Sequence, residues 1–173
     1  MFGKNGAGQG PYLQQAPFLP NTLSQAGEVF VVLKSNVTSG GTTYSWASFS
    51  NDGNSSHYPF GNDIYDNFGS SRQNGTPSGG GNTVCRQYGI LNISSGGNGG
   101  LYVMRHQGTQ FYSGGPFNAT WGTNNWRIFA SGQNAPANFG LQGDIAEILV
   151  YNGVCSSGVR ASAMSYLQTK YAL

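Results

Sequence analysis

The last thirty residues constrain this chain most. Gly143-Asp144-Ile145-Ala146-Glu147-Ile148-Leu149-Val150-Tyr151-Asn152 is a strongly apolar strand candidate. It runs through Ser156-Ser157-Gly158 into a segment whose apolar residues recur at helical spacing: Val159, Ala163, Met164, Leu167 and Tyr171. Ser156 or Ser157 can cap that helix by accepting a backbone N–H. Nothing else in the chain has a helical period. The remainder reads as short strands between glycine-rich turns, so one terminal helix must pack on an otherwise all-β domain.

The strands follow from local pattern. Val29-Phe30-Val31-Val32-Leu33 does not alternate, which predicts a strand buried on both faces. Thr42 to Ser50, Val84 to Ile93, Leu101 to His106, Thr109 to Tyr112, Trp126 to Phe129 and Asp144 to Tyr151 add further strands. Gln107-Gly108 reads as a hairpin tip. Asn51 to Gly81 shows no clear period apart from a short strand around Asp63-Ile64-Tyr65. A stretch of that length within a compact domain is usually functional. Pro11, Pro17 and Pro20 exclude a helix or a central strand from residues 1–27, which read as an extended arm or an edge strand. Its apolar points are Phe2, Tyr12, Leu13, Phe18 and Leu19. Roughly seven to ten short antiparallel strands imply a two-sheet sandwich over residues 28–173.

Composition narrows the function classes. Charged residues make up 8% of the 173, against roughly 25% in an average soluble domain. The net charge of +2 comes from eight scattered basic residues, so no basic stripe exists to follow a nucleic acid backbone. An aromatic content of 13% argues for a packed core rather than disorder. No apolar stretch approaches the roughly 20 residues that span a bilayer, and Met1 to Gln15 lacks the apolar core of a secretory signal. Cys85 and Cys155 read as two separate apolar thiols, although a bridge between them stays open.

Several of these segments carry a family likeness. The strand Gly143 to Asn152, the cap Ser156 to Arg160 and Tyr166-Leu167-x-x-Lys170-Tyr171 resemble the closing strand and helix of the concanavalin A-like jelly rolls, in their laminin G-like branch. Arg105 to Gln110 resembles one of that fold's hairpins. His57-Tyr58-Pro59-Phe60 with Ile64-Tyr65-Asp66-Asn67-Phe68-Gly69 resembles a segment common in phage-encoded members. The resemblance implies a two-sheet antiparallel jelly-roll sandwich with one short C-terminal helix and a binding or structural role. The family's longer segment ahead of Val29 is reduced here to Phe2-Gly3 and Tyr12-Leu13-Gln14. Either the domain is trimmed or another chain completes its edge.

Candidate chemistry concentrates in the loops. Sugars present apolar C–H faces that lie on aromatic rings, while amides and carboxylates bond their hydroxyls. Tyr58, Phe60, Tyr65, Phe68 and Trp121, among Asn62, Asp63, Asp66, Asn67, Asn118 and Asn124, form the expected glycan site. Calcium is the one cofactor candidate, with Asp52, Asp63 and Asp66 as ligands; laminin G-like members often bind it, and the carboxylate oxygens suit the ion. A catalytic carboxylate pair is missing. Asp144 and Glu147 lie three apart in a strand, where a period of two sends them to opposite faces. Glu147 reads instead as a structural carboxylate satisfied by backbone N–H groups or Arg160. His57 and His106 read as loop and hairpin residues, since no Gly-x-Ser-x-Gly elbow is present.

The resemblance to phage members, with low charge and no signal sequence, leads to the expectation of a non-enzymatic structural or adhesion protein of a phage virion. Such a decoration or fibre component would contact other virion proteins or copies of itself, and host-surface glycans. The alternative is a carbohydrate-binding module of a bacterial extracellular protein. A glycoside hydrolase comes third, disfavoured by the missing carboxylate pair.

Overall fold

The computed structural model describes residues 2–3, 12–15, 26–36, 45–48, 56–70, 72–117, 126–128 and 141–173. Along the chain these form β1 (Phe2–Gly3), β2 (Tyr12–Gln15), β3 (Gly27–Ser35), β4 (Ser45–Ser48), β5 (Ser56–Phe60) and β6 (Asp63–Asp66). There follow β7 (Gln73–Gly75), the single helical turn α1 (Gly81–Val84), β8 (Gly89–Ser95), β9 (Gly100–His106) and β10 (Thr109–Phe117). β11 (Trp126–Ile128), β12 (Gly143–Asn152) and helix α2 (Ser157–Tyr171) close the chain. A seven-stranded sheet in the order β1-β2-β11-β4-β5-β6-β7 faces a five-stranded sheet in the order β10-β9-β8-β3-β12. All pairings are antiparallel, as the sequence predicts.

The unbroken apolar run in β3 is explained by burial on two sides. Val29, Val31 and Leu33 enter the core between the sheets with Tyr58, Ile64, Phe68, Leu91, Ile93, Tyr102 and Met104. Phe30 and Val32 point the other way, toward Ile90, Ala163 and Leu167 beneath α2. β3 is paired on both edges, with β8 and with β12, so its backbone is satisfied as well. Cys85 belongs to the first of these cores and Cys155 to the second; both are buried free thiols, separated by the five-stranded sheet.

Ser156 caps α2 by accepting from the Val159 amide at 3.3 Å. The inward stripe differs from expectation at one position: Ala163, Met164, Leu167 and Tyr171 face the sheet, while Val159 is 45% exposed. Arg160 takes the inward place in the first turn, where it bonds Glu28. Consecutive helix residues point about 100° apart, so Val159 swings aside.

Two other expectations change. Within Asn51 to Gly81, residues 56–75 carry three strands, β5 to β7. They show no clear period because each has five residues or fewer and Ser56 to Pro59 are all buried. The strand expected from Val84 begins at Gly89, after α1. Gly81 seats α1 against the β5–β6 turn, where an added Cβ would sit 2.9 Å from the carbonyl oxygens of Asn62 and Asp63.

The N-terminal segment contributes β1 and β2 to the seven-stranded sheet. β2 pairs with β11 on one side and β1 on the other. The side chains of Phe2, Tyr12 and Leu13, and all of Phe18 and Leu19, lie outside the described residues.

The β9–β10 turn has Gln107 at φ 50° and Gly108 at φ 79°, the left-handed pair that a two-residue hairpin requires. Gly108→Ala should cost about 1 kcal/mol of stability through backbone strain. Space is not the obstacle, since the new Cβ would meet only Met164 Cε, at 3.8 Å. Chemical denaturation of the two proteins measures it.

Candidate functional site

A cleft opens at one end of the sandwich, where the edge strands of the two sheets meet. β7 and β10 approach so closely that a Cβ on Gly75 would lie 2.9 Å from Tyr112 Cβ and 3.0 Å from Phe111 Cδ2. Just beyond that contact, Thr76-Pro77-Ser78 leaves β7 and the Gln107–Gly108 turn leaves β9. The space between them is about 480 Å³, lined by Thr76, Pro77, Ser78, His106, Gln107, Thr109, Gln110 and Phe111. That volume falls within the roughly 300–1,000 Å³ of small-ligand sites.

The lining is rich in hydrogen-bonding groups and carries no formal charge at neutral pH. The Thr76 hydroxyl donates to the Asp63 carboxylate, which fixes the first wall to β6. On the second wall His106 Nε2 lies 3.0 Å from the Tyr58 hydroxyl. Burial lowers the His106 pKa, which keeps the imidazole neutral. Burial also pushes the Tyr58 phenol well up, with Cys85 adding to the effect, so it stays protonated. Ser78, Gln107, Thr109 and Gln110 are exposed, and Phe111 offers a half-buried ring among them. Such a set can bond hydroxyls and cover an apolar face.

Several of the expected sugar-binding residues lie in surroundings other than loops. Tyr58 and Phe68 are 0% exposed and sit in the core between the sheets, so neither can touch a glycan. Phe60 and Tyr65 are half-buried and stack on each other, with centroids 4.6 Å apart and planes at 30°. The Arg72 guanidinium lies 4.9 Å over the Tyr65 ring and His57 approaches it edge-on at 6.0 Å. His57 itself is a buried β5 residue rather than a loop residue; burial, then Arg72, push its pKa down to about 4. Asn62 is exposed at the β5–β6 turn, where its carbonyl accepts from the Gly81 amide at 2.6 Å. Asn67 is buried and accepts the Ser56 hydroxyl at 2.9 Å. Trp121, Asn118 and Asn124 lie outside the described residues. The cleft residues Gln107, Thr109, Gln110 and Phe111 were missed, although the Gln107-Gly108 turn beside them was legible, and Ser78 on the opposite wall was missed as well.

The two described members of the calcium set, Asp63 and Asp66, do not come together. On β6, Ile64 and Asp66 are buried while Asp63 and Tyr65 are partly exposed, so the two carboxylates point to opposite faces. Asp66 accepts the Phe68 amide at 2.8 Å and the Tyr102 hydroxyl inside the core. Asp63 is engaged by Thr76, and Asp52 lies outside the described residues. Among the described residues no group of three His, Cys, Asp or Glu side chains could hold an ion.

Asp144 and Glu147 require a correction. Asp144 pairs with Lys34 and Ile145 with Leu33, but the next pair is Glu147 with Val32. Ala146 is the extra residue of a bulge, which shifts the alternation by one. Lys34 and Val32 share a face of β3, so Asp144 and Glu147 share the outer, helix-bearing face. Asp144 is held by Lys34 at 3.2 Å and by the Tyr88 hydroxyl at 3.2 Å. Glu147 accepts from Lys170 at 3.1 Å and from Tyr166 and Tyr171 at 3.0 Å, whereas Arg160 bonds Glu28. Burial would raise the Glu147 pKa, but the bonds from Lys170, Tyr171 and Tyr166 outweigh it and hold the carboxyl below its ordinary value.

No protein-family model and no curated protein matches the chain. Solved structures do. A structure of botulinum neurotoxin type C, whose cell entry depends on interaction with two ganglioside molecules, superposes with a TM-score of 0.60 at 8% identity, over 86% of this chain and 37% of that one. Domains LG4-5 of the mouse laminin alpha1 chain give 0.54 at 12% identity, over 84% and 40%. Domain 4 of AbnA, a GH43 extracellular arabinanase from Geobacillus stearothermophilus solved with arabinotriose, gives 0.56 at 14% identity, over 94% and 79%. This chain therefore spans less than half the length of the neurotoxin and laminin structures. Its fold is the concanavalin A-like, laminin G-like sandwich.

Proposed function

We propose that this domain is a non-enzymatic glycan-binding module, of the kind that serves extracellular bacterial proteins. The observation that carries the reading is the cleft at the β7–β10 end, where uncharged amides, hydroxyls and a neutral imidazole surround the Phe111 ring. The fold supports it, since the arabinanase domain that shares this sandwich was solved with arabinotriose. The absence of catalysis rests on chemistry. Asp144 and Glu147 share a face, but each is engaged by a lysine there. A general acid needs a raised pKa, and Glu147 has a lowered one.

The virion reading draws on the segment His57 to Gly69, and packing accounts for that segment. Tyr58, Ile64 and Phe68 fill the core between the sheets, and Asp66 takes its bonds there. The segment's pattern thus speaks for fold, and we favour the binding module over a decoration or fibre protein. The test is a glycan array followed by calorimetric titration of the ligands found. Saturable binding without any release of shorter sugars is expected. Turnover of a bound glycan that Glu147→Gln abolishes would reverse the reading.

A further inference from the structure

We propose that the cleft selects uncharged saccharides, with the Gln107 amide and the Thr109 hydroxyl reading their hydroxyls; this rests on the glycan-binding reading above. Among the described residues that line it, none is an arginine, a lysine, an aspartate or a glutamate. A sialic or uronic acid carboxylate entering it would leave water without meeting a counter-charge, which is costly for any ion. The charge that does stand behind the wall has the wrong sign: Asp63, tied to Thr76. The described guanidinium nearest in sequence is turned away. Arg105 donates to Asn92 at 3.1 Å and Ser94 at 3.4 Å, on the helix-bearing side of the five-stranded sheet.

What the cleft offers matches a neutral sugar. An amide both donates and accepts, so it can bond a hydroxyl in either role. Gln107 presents one in the turn, and Thr109, paired with His106 and so on the same face, adds a hydroxyl; both are exposed. His106 has Nε2 engaged by Tyr58, which leaves its other nitrogen as a single neutral hydrogen-bonding atom. Phe111 is anchored against Gly75, so its ring is a fixed surface for a C–H face. The left-handed geometry at Gln107 and Gly108 fixes the backbone from which Gln107 projects before any ligand arrives.

The whole chain should be titrated with arabinotriose, cellotriose and maltotriose, and with trigalacturonate and 3′-sialyllactose, at low and high salt. At least one neutral trisaccharide should bind, with an affinity that salt hardly changes. Thr109→Ala should weaken it by roughly 2- to 12-fold, the loss of one hydroxyl–hydroxyl bond, without moving the melting temperature. Gln107→Asn, which suits the turn but shortens the amide, should weaken it similarly. Thr109→Lys should bring in trigalacturonate. Tighter binding of either anionic sugar than of every neutral one overturns the selectivity. Neutral binding that ignores all three substitutions overturns the assignment to this cleft while leaving the glycan-binding reading intact. Failure of all five sugars and of a full glycan array removes both.

Discussion

Leu167→Asp should release α2 from the five-stranded sheet and abolish cooperative folding near room temperature. Leu167 is 0% exposed and packs with Phe30, Val32, Ile90 and Ala163. Truncation to alanine at such a site costs about 2–5 kcal/mol through lost burial and a residual cavity. A carboxylate adds the penalty of an unpaired buried charge, against a total stability of about 5–15 kcal/mol for a native domain. The surrounding cluster is apolar, and Lys170 is engaged by Glu147 on the exposed flank. Thermal melts followed by circular dichroism provide the measurement. Leu167→Ala is the graded control, expected to lower the midpoint by roughly 4–20 °C. A Leu167→Asp protein that melts like the parent would show that α2 lies outside the cooperative unit.

Arg160→Ala should cost about 3–5 kcal/mol, the usual loss when one partner of a buried ion pair is removed. Glu28 is 0% exposed, and its two oxygens meet four donors. Arg160 Nε and Nη2 reach them at 2.7 and 3.0 Å, Asn92 Nδ2 at 2.8 Å and the Cys155 amide at 2.8 Å. Arg160 also donates to the Cys155 carbonyl at 2.8 Å, so the pair joins β3, β8 and the β12–α2 loop to the helix. Burial alone would raise the Glu28 pKa, but the bonds from Arg160, Asn92 and Cys155 hold it below 4.5. A depressed carboxylate contributes stability that is present above its unfolded value and lost as pH falls through its folded one. The parent should therefore lose stability only in acid, below about pH 4.5. In Arg160→Ala the acid transition should begin at higher pH. Urea midpoints from pH 3 to 7 test both statements, and an unchanged acid limb would show that the pair does not set it.

The parts of the fold that could be read in advance are those specified by near neighbours. The double-sided burial of β3, the Gln107–Gly108 turn and the Ser156 cap each depend on a few adjacent residues, and each is found where expected. The strands β5 and β7 were hidden because short strands are stabilised by their partners rather than by their own pattern. The expected sugar-binding aromatics split for a related reason. Tyr58 and Phe68 are core residues while Phe60 and Tyr65 lie nearer the surface, and an aromatic side chain has the same local signature in either place.

By itself the sequence determined the class of the fold, its central strand and its one long helix, because hydrophobic periodicity and turn chemistry act over a few residues. Tertiary structure alone decided the site. The bulge at Ala146 that turns Asp144 and Glu147 to one face, the partnership of Glu28 with Arg160 across 132 residues, and the meeting of Thr76–Ser78 with the β9–β10 turn are contacts between distant segments. Chain order does not encode such contacts; the closing of two sheets and a helix over shared cores creates them.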